Sequence, residues 1–462
     1  MLVWKLQTLD VNIASVRYRC LFPLHHLSAL GIQSAIYSDT EFIEFTAETQ
    51  AVVFVKSFRA EDVATCQRAH QQGIPIVLDV CDNIFIEEYA IGKQFTPANN
   101  FYQMARQATA VITPTAALKA VVEEALSQHS LVRMPLVVSI PDGSESLADI
   151  QRAFDLTRKQ RWQRWFNQRL KASTIKQVQR RAKQVKAMTR RSIQQTKRLS
   201  LRSKCKVSNL LRQAGVLKPK PEMDLSVTAQ RPSGALPAVD STSPRSITPR
   251  TACKTQRTPL RPDAWIPAKS GTKTVLWFGN HGAKYGNFGM VNILQAAPAL
   301  ANLSSSIPLR LVVVSNSYEK YLRHIKSLPF ETMYLRWHPR KVYDYIRASD
   351  VVLVPNSLSP FSVCKSANRP ILALSHGTPV VASRTPALDV FHDCILLDDW
   401  QAGIETYLTQ PEIGQSHVAQ AQAVIAAHFS GPVIAQQWQQ LLSRIQRSTP
   451  APMAIASANQ TP

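Results

Sequence analysis

The sequence predicts an α/β protein built on doubly wound parallel sheets, in two folded stretches separated by a basic insert. Three observations predict this. Short, continuous apolar runs rich in Val and Ile recur along the chain, as strands covered on both faces do. Helix-length amphipathic stretches alternate with them, the order of parallel strands joined by crossover helices. Between the two stretches the composition changes: from Gln151 to Lys220 there are 22 Lys/Arg against one acid, Asp155.

The first stretch covers 1–150. Leu2–Leu6 reads as its first strand, followed by a polar loop and by a helical stripe of Leu21, Leu24, Leu27 and Leu30 that Gly31 ends. Further strands are expected at 33–37, 51–55, 74–80, 110–113 and 136–140, with helices at 61–72, 98–107 and 115–126 between them. Ser15-Val-Arg-Tyr-Arg19 opens the first helix, so Arg17 and Arg19 are candidates for an anion; a solvated helix start is the plain alternative. Asp79-Val-Cys-Asp-Asn83 follows a buried strand, which sends Asp82 and Asn83 toward the carboxyl end of the sheet, where open α/β sheets bind ligands. A capping Asp is the alternative there. His25 and His26 read as packing or surface residues.

Residues 151–217 form a basic helical insert with Trp162, Trp165, Phe166 and Leu170 on one arc. Such a helix suits an anionic membrane surface, at about 1 kcal/mol per Lys/Arg. A solvated linker explains the same charge, and nucleic acid is the weaker match because no recognised nucleic-acid module accompanies it. Outside Gln151–Pro262 the chain has 26 basic and 27 acidic residues, so the net charge of +23 belongs to the insert and its linker. The linker, 218–271, is rich in Pro, Ser and Thr and is expected to be disordered. The seven cysteines are scattered with no CxxC spacing, which predicts a reducing compartment and no structural zinc. No apolar run of about 20 residues marks a membrane span. The Leu2–Leu6 start reads as a strand and not a signal peptide, so a cytoplasmic location is expected.

The second stretch, 272–430, begins with the strand Thr274–Gly279 and the glycine-rich loop Asn280–Gly289, then a helix at 290–300. Strands are expected at 309–314, 334–337, 351–354, 380–382 and 395–397, with helices at 318–328 and 341–349. Ser349–Ser383 is the part around which the rest is organised: strand, polar loop, short helix from near Lys365–Arg369, then Gly377 and the next strand. Lys365, Ser366, Asn368 and Arg369 gather at the helix start, where free backbone N–H groups and cations suit a diphosphate. Gly279, Asn280, Gly282 and Lys284 lie in the glycine-rich loop, whose backbone can come close to phosphate oxygens. The terminal helix, 431–447, shows one apolar face, and 448–462 reads as a flexible tail.

Asp350-Val-Val-Leu-Val-Pro355, Pro360-Phe361 and Gly377-Thr-Pro-Val-Val-Ala-Ser383 resemble the nucleotide-sugar loop of GT-B glycosyltransferases of the family-four and family-one type. The resemblance spans about two thirds of the chain. It departs at the Glu-x7-Glu motif of those families: Cys364 or Ser359 stands at the first place and Leu372 at the second. Lys365-Ser-Ala-Asn-Arg369 resembles the variant of divergent members.

The resemblance implies two Rossmann-like domains facing a cleft, with a nucleotide-sugar donor on the second and a glycan or lipid-linked acceptor on the first. It implies a glycosyltransferase. The charge and aromatic residues of the basic insert add the expectation of a role in cell-surface polysaccharide or glycolipid synthesis, cytoplasmic or peripheral on the inner face of the plasma membrane. No metal and no cofactor are expected, so Lys365, Arg369, Lys284 and the amides near Gly279 and Gly282 would meet the leaving diphosphate, with Ser366 and Asn368 as hydrogen-bond partners. Asp82 is the candidate general base or orienter of the acceptor. A GT-B epimerase, or a non-catalytic GT-B protein that binds glycan or scaffolds at a membrane, are the alternatives.

Overall fold

The computed structural model describes residues 1–86, 97–129, 131–160, 162, 265–282 and 288–447. Most of the basic insert, the linker as far as residue 264, Lys284 and the 448–462 tail lie outside these residues.

Six parallel strands form the first sheet: β1 (Leu2–Leu6), β2 (Ser34–Ser38), β3 (Ala51–Val55), β4 (Ile76–Asp79), β5 (Ala110–Thr113) and β6 (Leu136–Ser139), in the order β2-β1-β3-β4-β5-β6. Leu2 pairs with Ser34 on one side and with Ala51 on the other. Six more form the second: β7 (Lys273–Phe278), β8 (Leu309–Ser315), β9 (Glu331–Arg336), β10 (Val351–Val354), β11 (Val380–Ala382) and β12 (Leu396–Leu397), ordered β12-β11-β10-β7-β8-β9, also parallel. Helices make most of the crossovers between these parallel strands, but β2 and β3 are joined by the irregular segment 39–50.

Side-chain alternation along each strand divides the interior into three cores. Val3, Val52 and Phe54 point to one face of the first sheet. Val275, Trp277 and Val313 point to one face of the second. Leu2, Trp4 and Val53 of the first sheet share a single core with Leu276, Val312 and Val352 of the second. The helix Gly431–Arg447 contributes Ile434, Trp438, Leu441, Leu442 and Ile445 to that shared core. Its Trp438 ring meets Trp4 edge-on at 5.1 Å, and His26 fills the space that a Cβ on Gly431 would take.

Two details differ from the sequence reading. The helix expected at 290–300 is a 3-10 turn, Gly289–Gln295, followed by an α-helix, Ala297–Leu303. Pro298 sits in the first turn of that helix, where its missing N–H costs nothing. Second, Pro411–Arg447 does reach a mean hydropathy of 1.2 over an 18-residue window, long and apolar enough to cross a membrane by composition. It is two helices, Pro411–His428 and Gly431–Arg447, and a third of that window is buried, with Val418, Ala421 and Ile425 in the shared core.

The strand order fixes where a ligand fits. In the second sheet the winding reverses between β7 and β10; in the first it reverses between β1 and β3. Loops leaving the carboxyl ends of strands at such a reversal part to either side and leave a crevice.

Candidate functional site

The loop after β7 is shaped by glycine. Gly282 has φ +81°, and a Cβ there would stand 2.1 Å from the Phe288 carbonyl oxygen. Its N–H donates to Asn280 Oδ1 at 3.0 Å, closing a tight turn. Gly279, just past the strand, has φ +153°, and a Cβ on it would lie 3.3 Å from Arg369 Cδ. Arg369 comes from the loop side of β10, in the first turn of the helix Asn368–Ser375. The two loops at the β7/β10 reversal therefore meet at this pair.

The Arg369 guanidinium has no acidic partner among the described residues. It donates to Asn356 Oδ1 at 2.9 Å, and burial lowers its pKa to about 10. Asn356 is itself held from both sides: its N–H donates to Ser383 Oγ at 3.0 Å, and its carbonyl accepts from Gln295 Nε2 at 3.2 Å. A half-buried cation fixed by a neutral amide retains its full attraction for an anion. Sequence reasoning missed Asn356, which belongs to no charged motif.

Lys365 faces the other way, to the first half of the chain. Its ammonium pairs with Asp82 Oδ1, and Lys56 pairs with Asp82 Oδ2. Lys365 also lies 3.9 Å from the centre of the Phe361 ring. Lys56 follows β3 with φ +47°, a left-handed backbone that only a few per cent of non-glycine residues adopt. That conformation places its side chain at the β1/β3 reversal of the first sheet. Lys56 carries no sequence signal except its position one residue past a strand. Asp82 is 8% exposed. Burial pushes its carboxyl up, but Lys365 and Lys56 together more than offset this and hold it well below the usual carboxylate range. A carboxylate held so low is a weak base, and its geometry suits charge placement better than proton abstraction.

The same loop is tied to the first half by neutral bonds. Asn83 Nδ2 donates to the Pro360 carbonyl at 3.2 Å, and Thr115 Oγ1 to the Cys364 carbonyl at 3.0 Å. Asn368 Nδ2 donates to Asp142 Oδ2 at 2.7 Å. Ser366 lines a cavity of about 260 Å3 with Thr115, Ser139, Asp142, Ile371 and Phe429.

Arg17 and Arg19, read from sequence as facing acceptor or phosphate, are buried in ion pairs. Arg19 is 2% exposed. Its Nε pairs with Asp79 at 3.0 Å, and its Nη1 bonds Asp142 at 3.1 Å and the Ile140 carbonyl at 2.6 Å. Arg17 pairs with Glu145 at 3.2 Å, bonds the Val11 carbonyl at 2.7 Å and lies 5.5 Å over the Trp337 ring. Tyr343 donates to the same Glu145 at 2.9 Å. The helix start is closed to both acceptor and solvent because Asp142, Glu145 and Tyr343, distant in sequence, close over it. Asn280 is exposed at the loop surface. Among the described residues no three His, Cys, Asp or Glu side chains cluster as metal ligands.

Comparison of structures identifies the architecture. A glycosyltransferase from Rickettsia africae matches 96% of this chain and 98% of its own at a TM-score of 0.52 and 9% sequence identity. The OtsA apo structure matches 96% of this chain and 98% of its own at 0.50 and 10% identity. At such identities the likeness is one of fold: two parallel six-stranded sheets with flanking helices, the GT-B arrangement. No protein-family model matches the sequence, and no curated protein matches it.

Proposed function

We propose that the protein is a glycosyltransferase, moving a sugar from a nucleoside-diphosphate sugar to a glycan or lipid-linked acceptor in cell-surface polysaccharide or glycolipid synthesis. One observation carries this reading: Arg369, a cation without an acidic partner among the described residues, sits against Gly279 at the β7/β10 reversal. The fold shared with the Rickettsia africae glycosyltransferase supports it. Breaking the bond between the anomeric carbon and the diphosphate leaves positive charge on the sugar and negative charge on the departing oxygen. Arg369 would meet that negative charge, and Lys365 would reach it once free of Asp82. The Gly279 and Gly282 N–H groups, expected from sequence to do so, are instead engaged by the Val314 carbonyl and by Asn280 Oδ1. No bound metal or cofactor is needed in this scheme, so activity is expected to survive EDTA. Asp82, on the first half, would orient the acceptor. Asn83, read from sequence for the same role, is 2% exposed and bonded at both ends of its amide to Pro360 and Phe85. The basic segment 151–217 would hold the enzyme on the inner face of an anionic membrane. Liposome co-sedimentation with and without that segment tests this, and equal binding to neutral and anionic vesicles would refute it.

A second reading, a binding protein of the same fold without turnover, is favoured by the absence of a carboxylate at Ser359, Cys364 and Leu372. A thermal-shift panel of UDP, GDP, ADP, CMP and dTDP, repeated on Arg369→Met, tests the donor site itself. One diphosphate should stabilise the wild type and lose its effect in the variant; no shift from any of them would sink the transferase reading. Release of nucleoside diphosphate from the matching sugar nucleotide then separates turnover from binding.

A further inference from the structure

We propose that Asp82 competes with the donor's phosphate for Lys365, so that the protein carries a displaceable internal stand-in for its own ligand. This rests on the transferase reading above. The Asp82 carboxylate holds Lys365 on one oxygen and Lys56 on the other. Lys365 follows the second sheet, whereas Asp82 and Lys56 follow the first, so the contact joins the donor side to the acceptor side.

Two features make the contact exchangeable. Removing one partner of a buried ion pair is costly because the other charge is stranded. Here Asp82 keeps Lys56 when Lys365 leaves, so no buried carboxylate is left alone. The lysines are in turn partly in water, with side chains 34% exposed for Lys56 and 37% for Lys365, and neither depends on Asp82 for its solvation. Release of Lys365 also leaves the Asn83–Pro360 and Thr115–Cys364 bonds in place, since both involve neutral groups. The Pro360–Cys364 segment would stay docked while the lysine turns. Donor binding then exchanges a Lys365–carboxylate pair for a Lys365–phosphate pair, and Lys56 takes over Asp82. This accounts for a second lysine in a left-handed backbone beside a carboxylate that already has one.

Calorimetric titration of the full chain with UDP, GDP, ADP and inorganic pyrophosphate tests the exchange. Asp82→Asn should bind the preferred diphosphate about tenfold more tightly than wild type. Adding Lys365→Met should erase that gain, because no lysine is left to be released. Lys56→Met should weaken binding, because Asp82 then has only Lys365. If Asp82→Asn melts below the assay temperature, Asp82→Ser takes its place. Wild-type binding that Asp82→Asn leaves unchanged or weakens overturns the proposal and spares the donor site. No binding by any variant overturns both.

Discussion

Asn368 and Asp142 join the two halves of the chain through a single 2.7 Å hydrogen bond, amide to carboxylate. Asp142 uses its other oxygen for Arg19, which holds Asp79 at the end of β4. A chain of four side chains, three of them buried, thus runs from the first sheet to the helix that carries Arg369.

Asp142→Ala should be severe. It strips Arg19, 2% exposed, of one of its two carboxylates, and removing one partner of a buried pair costs about 3–5 kcal/mol. Asn368→Ala removes only a neutral donor and should cost about 1–3 kcal/mol. Melting temperatures of the two variants should fall in that order; equal losses would mean that Asp142 acts only through Asn368.

Arg369→Met should separate stability from binding. The guanidinium is desolvated without an acidic partner among the described residues, so an apolar side chain of similar length should raise stability by about 1 kcal/mol. The same change should abolish the stabilisation by a diphosphate, worth about 2.7 kcal/mol at 100 times its Kd. A thermal-shift assay with and without ligand reads both.

Acid should act through Asp82. Its folded-state pKa lies below the unfolded value of about 3.9, so its contribution to stability is present above that value. It is lost as pH falls through the lower, folded pKa. Asp82→Asn should be less stable than wild type at pH 7, and the two should converge as pH drops below about 4. Denaturant midpoints from pH 7 to pH 2 would show it, and parallel curves would refute it.

Gly282→Ala and Gly31→Ala make a matched pair. Both positions have positive φ, +81° and +78°, but a Cβ at Gly31 meets nothing within 4 Å, whereas one at Gly282 lies 2.1 Å from the Phe288 carbonyl. Gly31→Ala should cost only the left-handed penalty of about 1–2 kcal/mol. Gly282→Ala should cost clearly more, and it alone should weaken diphosphate binding. Melting and titration of both variants measure the difference.

The strands were legible because each is a local statement. Leu2–Leu6, Ala51–Val55 and Val351–Val354 are apolar at every position or nearly so, and a run buried on both faces needs no partner to be recognised. Gly377 likewise announced a helix end, and it has φ +86°. The site was legible only in part. Arg369 and Gly279 stand out by type and place, but their approach is a tertiary fact. Nothing near Arg19 in sequence reveals that Asp79 and Asp142 will surround it, so a buried ion pair reads as an anion-facing or a solvated helix start. Lys56 and Asn356 gain their roles from Asp82 and from Arg369, Ser383 and Gln295, all remote along the chain.

The placement of Trp438 against Trp4 has a consequence for synthesis. The first sheet can pair its strands once residue 139 has left the ribosome, yet part of one of its faces is covered by the helix Gly431–Arg447, far along the chain. At the usual 5–20 residues per second, roughly 15–60 s separate the two events. Through that interval the nascent chain holds a finished sheet with one oily side covered only in part, by its own Phe22–Ala29 helix, a natural client for a chaperone. A premature stop after residue 430 would make that exposure permanent.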